Sequence, residues 1–181
     1  MVIKEGKHSE KSEPVRILSI DPSLRGTGYG VIEKAGRHMT ALEYGVIRNP
    51  PKRLPSGCLL EIFEILEAVI QKHQPNVCAV ESVIYVQSYK TAITLGAARG
   101  AAILTVSRHG IPIFEYTPKR VKQAVVGHGG ADKQQVGFMV RALLQLKETP
   151  QADAADALAI GLSHCQNMDR PTSALTLVQP I

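Results

Sequence analysis

Four acidic residues hold the chemistry this sequence offers: Asp21, Glu81, Asp153 and Asp156. Asp21 closes the apolar run Val15-Arg16-Ile17-Leu18-Ser19-Ile20, and Glu81 closes Val77-Cys78-Ala79-Val80. Each stands at the carboxyl end of an expected strand, and a charge buried there is costly unless something pairs with it. Asp153 and Asp156 are spaced i, i+3 near the start of the last expected helix, so they share one face. In an open sheet the chemistry lies beyond the carboxyl ends of the strands. If the two acid-ended strands are neighbours, Asp21 and Glu81 project into one place. The last helix then needs only to cross that edge to bring in its pair. Two like charges ~4 Å apart repel by about 4 kcal/mol at an effective dielectric near 20, so four acids call for cations between them. Hard oxygen donors with no imidazole or thiolate array favour Mg2+, or Mn2+, over zinc. Two such ions about 4 Å apart activate a water and stabilise the leaving oxygen of a phosphodiester. Taken singly, each acid has a plainer reading. Asp21 can cap a turn, Glu81 can bond a loop amide, and Asp153 and Asp156 can complement a positive helix start.

The elements that must position these acids follow from patterning. Residues 15–21 form a first strand, too apolar from Ile17 to Ile20 for a half-exposed position and so central. Pro22 and Ser23-Leu24-Arg25-Gly26 turn the chain into a second strand over 27–34, and 35–37 turn it into a third over 39–48. Gly26, Gly28 and Gly30 let a neighbouring backbone or a ligand approach the second strand closely. A helix capped by Ser56 runs to His73, and Val77–Glu81 follows as a parallel crossover strand. A loop over 82–90 precedes a small-residue helix from about 91 to 109, whose Gly96 and Gly100 suit close packing against a sheet or another subunit. A fifth strand over 111–116 leads to a helix opened by Thr117-Pro118, a helix capped by Asp132 and running to about 147, and the last helix over 152–167. The class is α/β. Residues 15–168 are expected to form one domain, with 1–14 a disordered charged leader and 169–181 a flexible tail.

Charge is uneven along the chain. Lys119, Arg120, Lys122, Lys133, Arg141 and Lys147 face only Asp132 between Thr117 and Lys147, a surplus equal to the whole net charge of +5. A local positive field points to a polyanion, nucleic acid first, with a solvated helix face as the plain alternative. No apolar run reaches the roughly 18 residues a membrane span needs, and the N-terminus lacks an apolar signal core, so a cytoplasmic protein is expected. Cys58, Cys78 and Cys165 match neither a disulfide framework nor a zinc pattern and read as small buried hydrophobes.

Several of these segments resemble the RuvC family of Holliday-junction resolvases. They are Ile20-Asp21-Pro22, Thr27-Gly28-Tyr29-Gly30-Val31-Ile32, Val80-Glu81, Leu95-Gly96-Ala97-Ala98-Arg99-Gly100, Val121-Lys122-Gln123, Lys133-Gln134-Gln135-Val136 and the stretch from Ala152 to Ala159. The likeness runs from Val15 to about Cys165. It implies an RNase H-like fold, a five-stranded mixed sheet with three antiparallel strands followed by parallel ones, flanked by helices. It further implies a homodimer that uses Mg2+, with two ions in each active site, to cut two opposed strands of a four-way DNA junction in recombination and repair. Asp21, Glu81, Asp153 and Asp156 match the metal-binding catalytic acids, and Lys122 and Lys133 match basic positions that hold DNA or support cleavage. Lys119 and Arg120, from the basic segment, join them as candidate DNA contacts. With that resemblance, Gly26, Gly28 and Gly30 read as room for a DNA strand and its metals. The helix around Gly96 matches a dimer interface, and the branch-migration proteins RuvA and RuvB are implied partners.

Three departures stand out. Ser23 replaces a glycine common after the Asp-Pro pair. Ile84 stands where some relatives carry a base-stacking phenylalanine, so base contact either passes to Tyr85 beside it or weakens. The charged leader is longer than the family pattern. Alternatives are a non-catalytic junction-binding protein on the same fold, another RNase H-like nuclease with a different nucleic-acid substrate, or an actin-hexokinase-type ATPase, which would need a second such half.

Overall fold

The computed structural model describes residues 13–83, 88–169 and 180–181. Among them, five strands form one sheet in the order β3-β2-β1-β4-β5. The strands are β1 (Val15–Asp21), β2 (Gly26–Ala35), β3 (His38–Arg48), β4 (Val77–Glu81) and β5 (Ile113–Tyr116). β1, β2 and β3 pair antiparallel, while β4 lies parallel to both β1 and β5. This is the expected mixed sheet, with the antiparallel strands first. The run Ile17 to Ile20 is buried throughout because β1 lies at the centre of the sheet.

The helices are α1 (Pro55–His73), α2 (Tyr89–Ser107), α3 (Pro118–Val126), α4 (Lys133–Leu143) and α5 (Ala152–Met168). They divide between the two faces of the sheet. On one face Leu18, Ile20, Cys78 and Val80 pack with Ile62, Leu66, Ala98 and Ala102 of α1 and α2. On the other, Ile17, Ile32 and Ala79 pack with Val121, Val140, Leu158 and Leu162 of α3, α4 and α5. Because side chains alternate along a strand, Asp21 belongs to the face of Ile17, and Glu81 to the face of Ala79. Both acids therefore turn to the α5 side. All three cysteines are buried and free.

Helix ends largely follow local chemistry. Thr117 caps α3 through the Arg120 amide, with Pro118 in the first turn, and Gly127 ends it at φ 93°. Asp132 and Gln135 form a reciprocal capping box at the start of α4. Ser56 is not a cap. Leu54 holds the cap position without a side-chain bond and Pro55 opens α1, since proline needs no amide partner there. Ser88 caps α2 through the Thr91 amide, which moves the start of that helix to Tyr89. α4 stops at Leu143, before a left-handed Gln145 (φ 52°).

The outer segments fall partly outside the described residues: 1–12 of the leader and 170–179 of the tail. Asp169 is tied to Lys34 at 2.8 Å, and the Ile181 amide donates to the Ile113 carbonyl on edge strand β5. Among the described residues no helix is long and apolar enough to cross a membrane.

Candidate active site

Register brings the first two acids together. Ile20 of β1 pairs with Val80 of β4 in a parallel ladder, so Asp21 and Glu81 follow as neighbours at the same end of two central strands. The parallel crossover through α1 is what sets this arrangement. Past Asp21, the turn is held by three bonds. Ser23 Oγ accepts from the Gly26 amide, Thr27 Oγ1 donates to the Ser23 carbonyl at 2.6 Å, and the Ser23 amide donates back to Thr27 Oγ1. Ser23 thus closes the turn with its own side chain, and the departure from glycine costs the hairpin nothing visible.

α5 supplies the second pair of acids, and its depth is set by glycine. A Cβ on Gly28 would lie 1.9 Å from the Asp153 carbonyl oxygen, and one on Gly30 would lie 2.6 Å from Leu158. The alternate glycines of β2 make room for α5 itself. They do not leave space for a DNA strand and its metals, because the protein's own backbone fills that space. Over Gly26 the approach is to the Asp153 carboxylate, 3.0 Å from a built Cβ. α5 is buried on nearly all sides from Ala157 to Cys165, as befits a helix between the sheet and α3–α4.

Asp21, Glu81 and Asp156 line one cavity of about 250 Å³, together with Lys122 of α3 and Lys133 at the start of α4. Lys133 Nζ donates to Asp156 Oδ2 at 2.9 Å. The Asp21 carboxyl is pushed up to about 7, first by burial, then by the negative charges of Glu81 and Asp156, with Lys133 opposing and Asp153 adding to the rise. Glu81 is raised as well, by burial and by Asp156, against Lys133 and Lys122. Lys133 is raised in turn, chiefly by its hydrogen bond to Asp156. Two acids whose affinity for protons is raised by burial and by neighbouring acids mark a site short of positive charge.

A divalent ion suits this donor set, since every acidic side chain offered is a hard carboxylate. Among the described residues no three His, Cys, Asp or Glu side chains are gathered tightly enough to hold an ion as they stand. Lys133 already bonds the Asp156 oxygen.

The other basic candidates lie elsewhere. Arg120 donates to Asn167 Oδ1 at 2.8 Å, and its guanidinium sits 5.6 Å from the centre of the Tyr116 ring. Lys119 lays its stem against Gly129. Neither lines the cavity of the acids. Tyr85 and Ile84 lie outside the described residues. Arg99 escaped the sequence reading, although it stands within Leu95–Gly100. It lines a second cavity with Asp21, Pro22, Glu81 and Leu95, on the other side of the two acids. Its signal was a lone arginine in a helix stretch of small residues.

Comparison with known proteins decides the family. Residues 17–164 match the family model described as crossover junction endodeoxyribonuclease RuvC. The chain belongs to the RuvC family. A relative of that name from Akkermansia muciniphila is 54% identical over 155 residues, covering 86% of this chain and 93% of that protein. Another, from Vibrio vulnificus, is 49% identical over 148 residues, covering 82% and 85%. Among solved structures, T. thermophilus RuvC in complex with a Holliday junction substrate has a TM-score of 0.82 at 31% identity, over 92% of this chain and 99% of that one. The yeast mitochondrial Holliday junction resolvase Ydc2, at 13% identity and a TM-score of 0.59 over 87% of this chain and 82% of that one, shares the fold.

Proposed function

We infer that this chain is a structure-selective endonuclease that resolves Holliday junctions in DNA recombination and repair by hydrolysing phosphodiesters in two opposed strands. The observation that supports it best is the cavity where Asp21, Glu81 and Asp156 meet Lys122 and Lys133 at the end of the two central strands. Family membership and the likeness to a junction-bound relative support the same reading.

Asp21, Glu81, Asp153 and Asp156 are the residues that would hold Mg2+, with Mn2+ as a substitute. Two ions there would supply an activated water and a counter-charge for the leaving oxygen. The protein's own part is placement. β1 and β4 fix Asp21 and Glu81 in register, and α5, seated on the glycines of β2, fixes Asp153 and Asp156 against them. Lys133 pairs with Asp156, and with an ion held by the acids its ammonium would serve a DNA phosphate. Lys122, which lines the same cavity, would hold the same strand. Tyr85, Lys119 and Arg120 remain proposed contacts for DNA.

The protein acts as a homodimer in this reading. Tyr89, Ile93, Gly96, Gly100 and Leu104 form one stripe along α2, with Ile93 72% and Leu104 60% exposed and open space above both glycines. Two such subunits would present two sites to two strands. RuvA and RuvB are the proposed partners, the cytoplasm the proposed location, and residues 15–168 the nuclease domain.

A synthetic four-way junction with Mg2+ is expected to be cut symmetrically, while linear duplex, hairpin and RNA–DNA hybrid of the same sequence are spared. Equal cutting of all four would overturn junction selectivity. The lysines have a separate signature. Lys122→Ala and Lys133→Ala should each weaken junction binding and reduce the slope of log affinity against log salt by about 0.9, the value for one lost phosphate contact. An unchanged slope would mean that the lysine does not touch phosphate.

A further inference from the structure

Glu81 is the last residue of β4, and its side chain can point only where the main chain there allows. The ladder with β1 ends one residue earlier, at Ile20–Val80, so the Glu81 carbonyl lies beyond it. Arg99 of α2 fills the gap: Nη1 donates to the Glu81 carbonyl at 2.8 Å, and Nη2 bonds the Glu115 carboxylate on β5. The Arg99 side chain is only 13% exposed, so this pairing is a fixed part of the fold. Its charge is matched by Glu115.

We propose that Arg99 is a positioning residue for the reaction: anchored on Glu115, its guanidinium holds the Glu81 carbonyl past the end of the β1 ladder and sets the direction in which the Glu81 carboxylate leaves the sheet. The proposal rests on the reading of Glu81 as a metal-binding acid. Arginine suits the task because its planar fork serves two acceptors at once, where an ammonium on a flexible stem serves them less well. Partners that orient a metal ligand typically matter 10- to 100-fold for metal affinity or activity.

The test pairs Arg99→Gln with Glu115→Gln, so that neither charge is left buried alone, and adds Arg99→Lys. Three quantities are measured: Mn2+ affinity of the DNA-free protein from the free-ion paramagnetic resonance signal, junction affinity without metal, and single-turnover cutting against Mg2+ concentration. The double variant should bind Mn2+ about tenfold more weakly and need about tenfold more Mg2+ for half-maximal cutting, with junction affinity within about twofold of wild type. Arg99→Lys should recover part of both losses. Unchanged Mn2+ affinity and Mg2+ dependence in the double variant overturns the proposal, and so does a slower cut with no change in the Mg2+ midpoint. Glu81→Gln separates the two levels. If it cuts at full rate, the reading of Glu81 fails; if it is inactive while the double variant behaves as wild type, only the role of Arg99 fails.

Discussion

Asp21→Asn is expected to abolish junction cutting and, in the same protein, to raise the thermal midpoint at pH 8 without metal. The loss of cutting follows from the loss of one proposed carboxylate ligand at the centre of the site. Metal-ion stabilisation of developing charge is worth several kcal/mol, and each 1.36 kcal/mol is tenfold in rate, so a drop of about 10³-fold or more is expected. Junction binding should persist, because Lys122 and Lys133 remain. The gain in stability follows from where the Asp21 proton sits. Its pKa in the fold is about 7, well above the ordinary 3.8, because of burial and the neighbouring acids. A carboxyl raised in this way favours the folded state while it is protonated. That contribution is complete below about pH 4 and is lost as pH rises through about 7. At pH 8 the ionised Asp21 therefore strains the metal-free fold by an amount on the order of a few kcal/mol, which Asn does not incur. For a chain of this size that corresponds to several degrees. The difference between variant and wild type should fade toward pH 4, and Mg2+ at pH 8 should stabilise the wild type more than Asp21→Asn. A variant that melts at or below wild type at pH 8 without metal would falsify the charge-strain account. Full cutting by Asp21→Asn would sink the site assignment.

The second large effect is expected from a single methyl group. Gly28→Ala places a Cβ 1.9 Å from the Asp153 carbonyl oxygen and 2.6 Å from its carbon, both main-chain atoms that no rotamer change can move aside. α5 must shift, and Asp153 and Asp156 shift with it. Overpacking of this kind costs about 1–3 kcal/mol and sometimes more, and a displacement of about 1 Å at a reacting centre costs about 10²-fold in rate. Gly30→Ala provides the contrast. Its Cβ meets Leu158 Cδ2 at 2.6 Å, a side-chain terminus that can turn away. Thermal melts and cutting rates should therefore rank wild type, then Gly30→Ala, then Gly28→Ala. If Gly28→Ala melts and cuts like wild type, α5 is not seated as described.

Much of this site was readable in the sequence, and the reasons differ from residue to residue. Asp21 and Glu81 were legible together, because two acids each closing an apolar strand meet at one edge when a crossover spacing makes those strands parallel neighbours. Asp153 and Asp156 were legible from their i, i+3 spacing at a helix start. The glycines of β2 were misjudged because a glycine reports that something comes close, never what it is. Lys122 and Lys133 turn to the acids while Arg120 bonds Asn167, a choice made by packing and invisible to a count of charges. Arg99 was passed over because its partner at Glu81 is a main-chain carbonyl, which leaves no mark in the side-chain pattern.

The seating of α5 on β2 also bears on when activity can arise. Asp21 emerges early in synthesis, but its partners Asp153 and Asp156 come more than a hundred residues later, on a helix that fills the middle of the core. A nascent chain that has completed β1 to β5 still lacks half of the proposed ligands and the helix that covers one face of the sheet. Domains generally fold as units once their chain is available. A ribosome-bound fragment of this nuclease would therefore leave DNA alone, and catalytic competence would arrive in one late step, together with the closing of the core.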